Sequence, residues 1–200
     1  MIDAPNSSSF EKFVTRGINP VGFTFVLLAF LFLPCAALSP GDLFSDIEGT
    51  TSVESALDIS STGANMAVHQ SDYDWPVFIR LLAIVTLLVI VAGALTALAR
   101  PAQRRPLYGA IVAVVSFVLL VVTGLAATAR MESAFKEFLD VLFATVPKSE
   151  SEPLIDQAGD AVGLGVGFWV ALVVVALVAA MNLVVLFRVR TTTRFSPAEI

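Results

Sequence analysis

The chain has 200 residues, of which 56% are hydrophobic and 14% charged, with a mean hydropathy of +0.84 and a formal charge of −5. A soluble domain of this size carries far more polar surface than that, so the composition excludes a soluble fold and predicts an all-α membrane protein. The single cysteine, Cys35, excludes both an intramolecular disulfide and a multi-cysteine zinc site.

Residues 1–16 form a short polar segment bearing Lys12 and Arg16. The first apolar run is Gly17 to Gly41 (the 17–41 span). A helix needs about 20 apolar residues to cross a hydrocarbon core of about 30 Å, and this run meets that length. It is longer than the apolar core of a signal peptide, and Pro40 disfavours cleavage after Ala37-Leu38-Ser39, so an uncleaved span is expected. Pro34 stands where a lipoprotein signal has a small residue before Cys35.

The segment 42–75 is acidic. Thr51-x-x-Glu54 is a capping-box pattern that predicts a short helix through Leu57, Ser60 to Gly63 reads as a turn, and His69 is the only histidine. Asp42, Asp46 and Glu48 lack the alternation and central glycine of a calcium loop. Asp74 is placed to cap the next helix, with Pro76 in its first turn. Tyr73 and Trp75 are expected as a membrane-interface belt, and Arg80 as an anchor snorkelling outward.

The second span covers 76–99, its uncharged part running from Leu81 to Ala99. A basic turn at 100–105 leads to the third span at 106–129, where Tyr108 is a further interface anchor. In the segment 130–160, Met131, Phe135, Phe138, Leu139 and Leu142 fall at helical spacing, with Glu132, Lys136, Glu137 and Asp140 opposite. This predicts an amphipathic helix ending at Pro147, apolar face towards a protein neighbour or the membrane surface. The fourth span is 161–187, and 188–200 is a basic tail.

The four runs Gly17–Gly41, Leu81–Ala99, Pro106–Ala129 and Ala161–Phe187 contain no Asp, Glu, Lys, Arg or His. Eight of the twelve cations (Lys12, Arg16, Arg100, Arg104, Arg105, Arg188, Arg190 and Arg194) fall on the side of the termini and the 100–105 turn, together with three acids. By the positive-inside rule that side is cytoplasmic. The expected fold is therefore an antiparallel four-transmembrane-helix bundle, N-in and C-in, with a small extracytoplasmic cap. Nine Arg against three Lys, with abundant Ala and Val, point to a bacterial plasma membrane.

In lipid, small residues that let backbones approach drive helix association. On the fourth span Gly159, Gly163, Gly167 and Ala171 recur at strict four-residue spacing, all on one face. That face is a helix-packing or partner interface, and the sequence leaves both open. Gly93/Ala97 and Gly109/Ala113 are weaker versions of the same pattern.

Chemistry is harder to find. One histidine cannot supply a zinc hydrolase or a haem pair. The glycines of Gly163–Gly167 resemble a nucleotide loop only superficially, since no strand precedes them. Polar candidates in the uncharged spans are Thr24, Thr86, Thr96, Ser116, Thr123 and Asn182, with Asn182 the most polar of them. Asn182 is expected to bond to a neighbouring helix. No enzyme activity, cofactor, metal, nucleic acid or small-molecule substrate is expected. The expected partners are the bilayer and other membrane subunits, and the expected role is an accessory or scaffold subunit of a larger membrane complex. A small oligomeric channel or carrier, and a sensor with an acidic external cap, are the alternatives.

Overall fold

A computed structural model of the chain describes residues 12–39, 59–68, 75–98, 104–145 and 147–194. Four of its helices are long and apolar enough to cross a membrane: Val14–Phe32, Val77–Leu95, Arg105–Leu142 and Val166–Phe187. The chain is a multi-pass, predominantly helical membrane protein.

In chain order, a π-helical turn Val14–Ile18 opens into α1 (Asn19–Phe32), then β1 (Ala36–Leu38), β2 (Ile59–Ser61) and α2 (Gly63–Ala67). α3 (Val77–Leu95) ends in a 3₁₀ turn and is followed by α4 (Arg105–Leu142) and α5 (Lys148–Asp156). A second 3₁₀ turn, Gln157–Gly159, then leads through β3 (Val162–Leu164) into α6 (Val166–Arg194). The π turn lies just ahead of Pro20, whose missing N–H and bulky ring disfavour regular α-helical bonding over the preceding turn.

The chain divides into two compact units. The first comprises Met1–Ala29, Ile84–Leu120 and Val170–Ile200. Its core is built from helix stripes at three- and four-residue spacing: Thr15, Asn19, Phe23 and Val26; Thr86 and Ile90; Ala110, Ala113, Ser116 and Leu120; Ala171, Val175, Val178, Asn182 and Val185. Phe23 fills the space over Gly93, and Val178 the space over Gly22. Most large aliphatic residues on the spans point outward, as expected where hydrocarbon is the solvent.

The second unit comprises Phe30–Ala83 and Val121–Trp169. It contains a three-stranded antiparallel sheet in the order β2-β1-β3, with Ala37 facing Ser60 on one side and Gly163 on the other. The sheet corrects three expectations. The first span ends at Phe32 instead of continuing to Gly41, because Pro34 cannot donate a helical bond and the chain turns into β1. Ser60 and Ser61 belong to β2 and Gly63 opens α2; Thr62 between them is extended, and its hydroxyl caps α2 by accepting from Asn65 N at 3.2 Å. Val162–Leu164 is a strand, so the fourth spanning helix begins at Val166 and not at Ala161.

A fourth correction concerns the amphipathic segment. It is not a separate helix closed by Pro147 but the last part of α4, whose 38 residues reach about 57 Å at about 1.5 Å per residue. That is nearly twice a hydrocarbon core of about 30 Å. The helix stops at Leu142, and Pro147 instead precedes α5 as its N-cap. The predicted helix over Thr51–Leu57, the acids Asp42, Asp46 and Glu48, His69, Tyr73 and Asp74 lie outside the described residues.

Candidate functional site

Three local arrangements bring the noteworthy side chains together. In the first unit, the amides of Asn19 and Asn182 form a reciprocal pair: Asn19 Nδ2 donates to Asn182 Oδ1 at 3.0 Å, and Asn182 Nδ2 donates to Asn19 Oδ1 at 2.7 Å. Asn182 Nδ2 also donates to Val178 O at 2.8 Å. Both residues are fully buried. The bond from a neighbouring helix that Asn182 was expected to make is thus present, with Asn19 as its partner. A Cβ on Gly109 would fall 2.5 Å from Asn19 Nδ2 and 2.6 Å from Asn182 Oδ1, so α4 offers a glycine where the amides need room. Asn19 is not among the polar candidates named from the sequence; its place inside the first uncharged run, four residues ahead of Phe23, was the available signal.

The second arrangement is the entry to α6, within the second unit. Gly165 N donates to Cys35 O at 3.0 Å and Gly167 N to Pro34 O at 2.7 Å, while Cys35 N donates to Ser61 O at 2.8 Å. Gly167 N–H is one of the first-turn donors of α6 that no helical carbonyl can reach, and the Pro34 carbonyl satisfies it. The approach is close: a Cβ on Gly165 would overlap the Pro34 carbonyl, and one on Gly167 would lie 2.7 Å from Leu33 Cβ.

This geometry also corrects the small-residue face. Gly159 lies in a 3₁₀ turn, Gly163 in β3, and only Gly167 and Ala171 in α6, so the four do not share one helical face. The regular spacing loses its meaning once the backbone is not helical throughout. A Cβ on Gly159 would be 3.3 Å from Glu132 Oε1, and one on Gly163 would meet nothing within 4 Å. Gly167 and the fully buried Ala171 pack inside the protein.

The third arrangement is the C-terminal part of α4, also in the second unit. Met131, Phe135 and Leu139 are buried at i, i+4 and i+8. Phe138 and Leu142, taken with them as one apolar face, are exposed, and Val141 beside them is more exposed still. On the polar side Lys136 Nζ donates to Glu132 Oε1 at 2.7 Å, which holds the Lys136 ammonium above its ordinary range.

Of the interface anchors, Arg80 and Tyr108 are half-buried. Trp75 is 2% exposed, so it is a core residue of the second unit and not a belt residue. Its large aromatic surface is covered by the protein itself. Among the described residues, no three His, Cys, Asp or Glu side chains gather as a metal site. Comparison with family models, with curated proteins and with solved structures finds no match to this chain.

Proposed function

We propose that this protein is a non-catalytic accessory or scaffold subunit that binds and stabilises a larger complex, such as an energy-transducing or transport assembly, in a bacterial plasma membrane. In this reading the termini and the Arg100–Arg105 turn are cytoplasmic, as the distribution of arginines favours. The end of α4 then belongs to an extracytoplasmic cap.

The observation that carries the proposal is the exposed set Phe138, Val141 and Leu142, which are 42%, 77% and 48% exposed. They stand on the stretch of α4 that carries Glu132, Lys136, Glu137 and Asp140, and so on its charged, water-compatible part. Large apolar side chains at i, i+3 and i+4 on such a helix are the pattern by which one protein anchors on another. The reciprocal Asn19–Asn182 pair supports the same reading over conduction, because each amide has a bonded partner within the protein.

Purification of the full chain from its membrane in a mild detergent tests the proposal. A stoichiometric partner is expected, and Val141→Glu with Leu142→Glu should release it while leaving the melting temperature unchanged. A wild-type protein that emerges as a monodisperse monomer overturns the reading.

A further inference from the structure

An apolar groove of about 410 Å³ runs along the outer surface of the first unit, between the start of α4 and the last turns of the fourth spanning helix. Leu107, Ile111 and Val114 form one wall, and Leu183 and Phe187 belong to the other. The α4 wall extends from Leu107 to Val115, about 12 Å at about 1.5 Å per residue, close to the depth of one hydrocarbon leaflet, half of about 30 Å. Phe187 is 65% exposed and Ile111 51%, so the groove is open along its side.

Its end is cationic. Arg104 and Arg105 stand at the turn where α4 begins, three and two residues ahead of Leu107, the first residue of the groove. Arg104 is exposed and Arg105 half-buried. The stretches of both helices that form the groove carry no acid: no Asp or Glu occurs between Asp74 and Glu132 or between Asp160 and Glu199.

We propose that this groove binds an anionic phospholipid, one acyl chain lying along Leu107 to Val115 and the headgroup phosphate held by Arg104 and Arg105. The two halves of the site match the two halves of such a ligand. A lining without hydrogen-bonding side chains suits hydrocarbon, and an arginine pair at the membrane boundary suits a phosphate. Any lipid would wet the apolar part, so selectivity resides in the arginines.

Native mass spectrometry of the full chain tests this, with palmitoyl-oleoyl phosphatidylglycerol and palmitoyl-oleoyl phosphatidylcholine added in equal amounts to the detergent-solubilised protein. With roughly a fivefold factor per arginine, retention of the anionic lipid should exceed that of the zwitterionic one by about 25-fold. Arg104→Gln with Arg105→Gln should bring the two to parity. Val114→Trp, which fills the groove from its exposed rim, should reduce retention of phosphatidylglycerol with both arginines intact. Wild-type melting temperatures in both variants will show that the fold survives. Equal retention of the two lipids by the wild type overturns the proposal, as does undiminished phosphatidylglycerol in Val114→Trp. So does a copurifying polypeptide that crosslinks to the groove and excludes lipid from it.

Discussion

Asn19 and Asn182, 163 positions apart in the chain, hydrogen-bond each other through both amides at 3.0 and 2.7 Å, fully buried in an apolar bundle. Truncating one partner leaves the other amide unsatisfied where no water competes. Asn182→Leu and Asn19→Leu should each lower stability in detergent by about 1–2 kcal/mol. In a double-mutant cycle the two should be coupled by about 0.6 kcal/mol or more, as interhelical hydrogen bonds in membranes usually are. Strict additivity in chemical or thermal unfolding would show that the pair carries no stabilising interaction.

Gly167 and Gly163 give a paired contrast. A Cβ on Gly167 would stand 2.7 Å from the Leu33 backbone O and Leu33 Cβ, whereas one on Gly163 meets nothing within 4 Å. Gly167→Ala is therefore expected to cost about 1–3 kcal/mol through overpacking, and Gly163→Ala to be close to neutral. Thermal unfolding followed by circular dichroism distinguishes them; equal effects would contradict the close approach of α6 to the end of α1.

Cys35 sits between α1 and β1 at 2% exposure, its Sγ 3.6 Å from Leu33 O and 3.7 Å from Phe30 O. A buried thiol of this kind is chemically inert until the protein opens. Maleimide should label it negligibly in the folded protein and stoichiometrically in denaturing detergent. Rapid labelling of the native state would contradict the burial of this thiol.

The Lys136–Glu132 pair, 2.7 Å apart on one helix, has a pH signature. Its folded-state pKa is raised, so its contribution is fully present below the ordinary lysine value of about 10.4 and is lost as pH rises through the folded value. Because the pair is solvent-exposed, the effect is small. Lys136→Gln should lower the melting temperature marginally at neutral pH, and the difference from wild type should shrink as pH passes about 10.4. A difference that grew with pH would carry the wrong sign for this pair.

Much of this architecture is written in the amino-acid sequence. Uncharged runs of more than eighteen residues are comfortable only in hydrocarbon, and four such runs correspond to the four spanning helices. The buried stripe Met131, Phe135 and Leu139 was equally legible, because Glu132, Lys136 and Asp140 mark the opposite side of that helix.

Tertiary structure decided what polarity could not encode. Within a span nearly every residue is apolar, so periodicity does not reveal which face is buried; packing does, drawing Ala110, Ala113 and Ser116 inward and leaving Val114, Val115 and Val118 outside. The same holds at the ends of the spans. Ala36–Leu38 and Val162–Leu164 are as hydrophobic as the helices beside them, and they become strands because each pairs with a segment distant in the chain. Hydrophobicity by itself determined that this chain enters a membrane, while long-range backbone hydrogen bonds and the close approach at Gly165 and Gly167 determined where its helices stop.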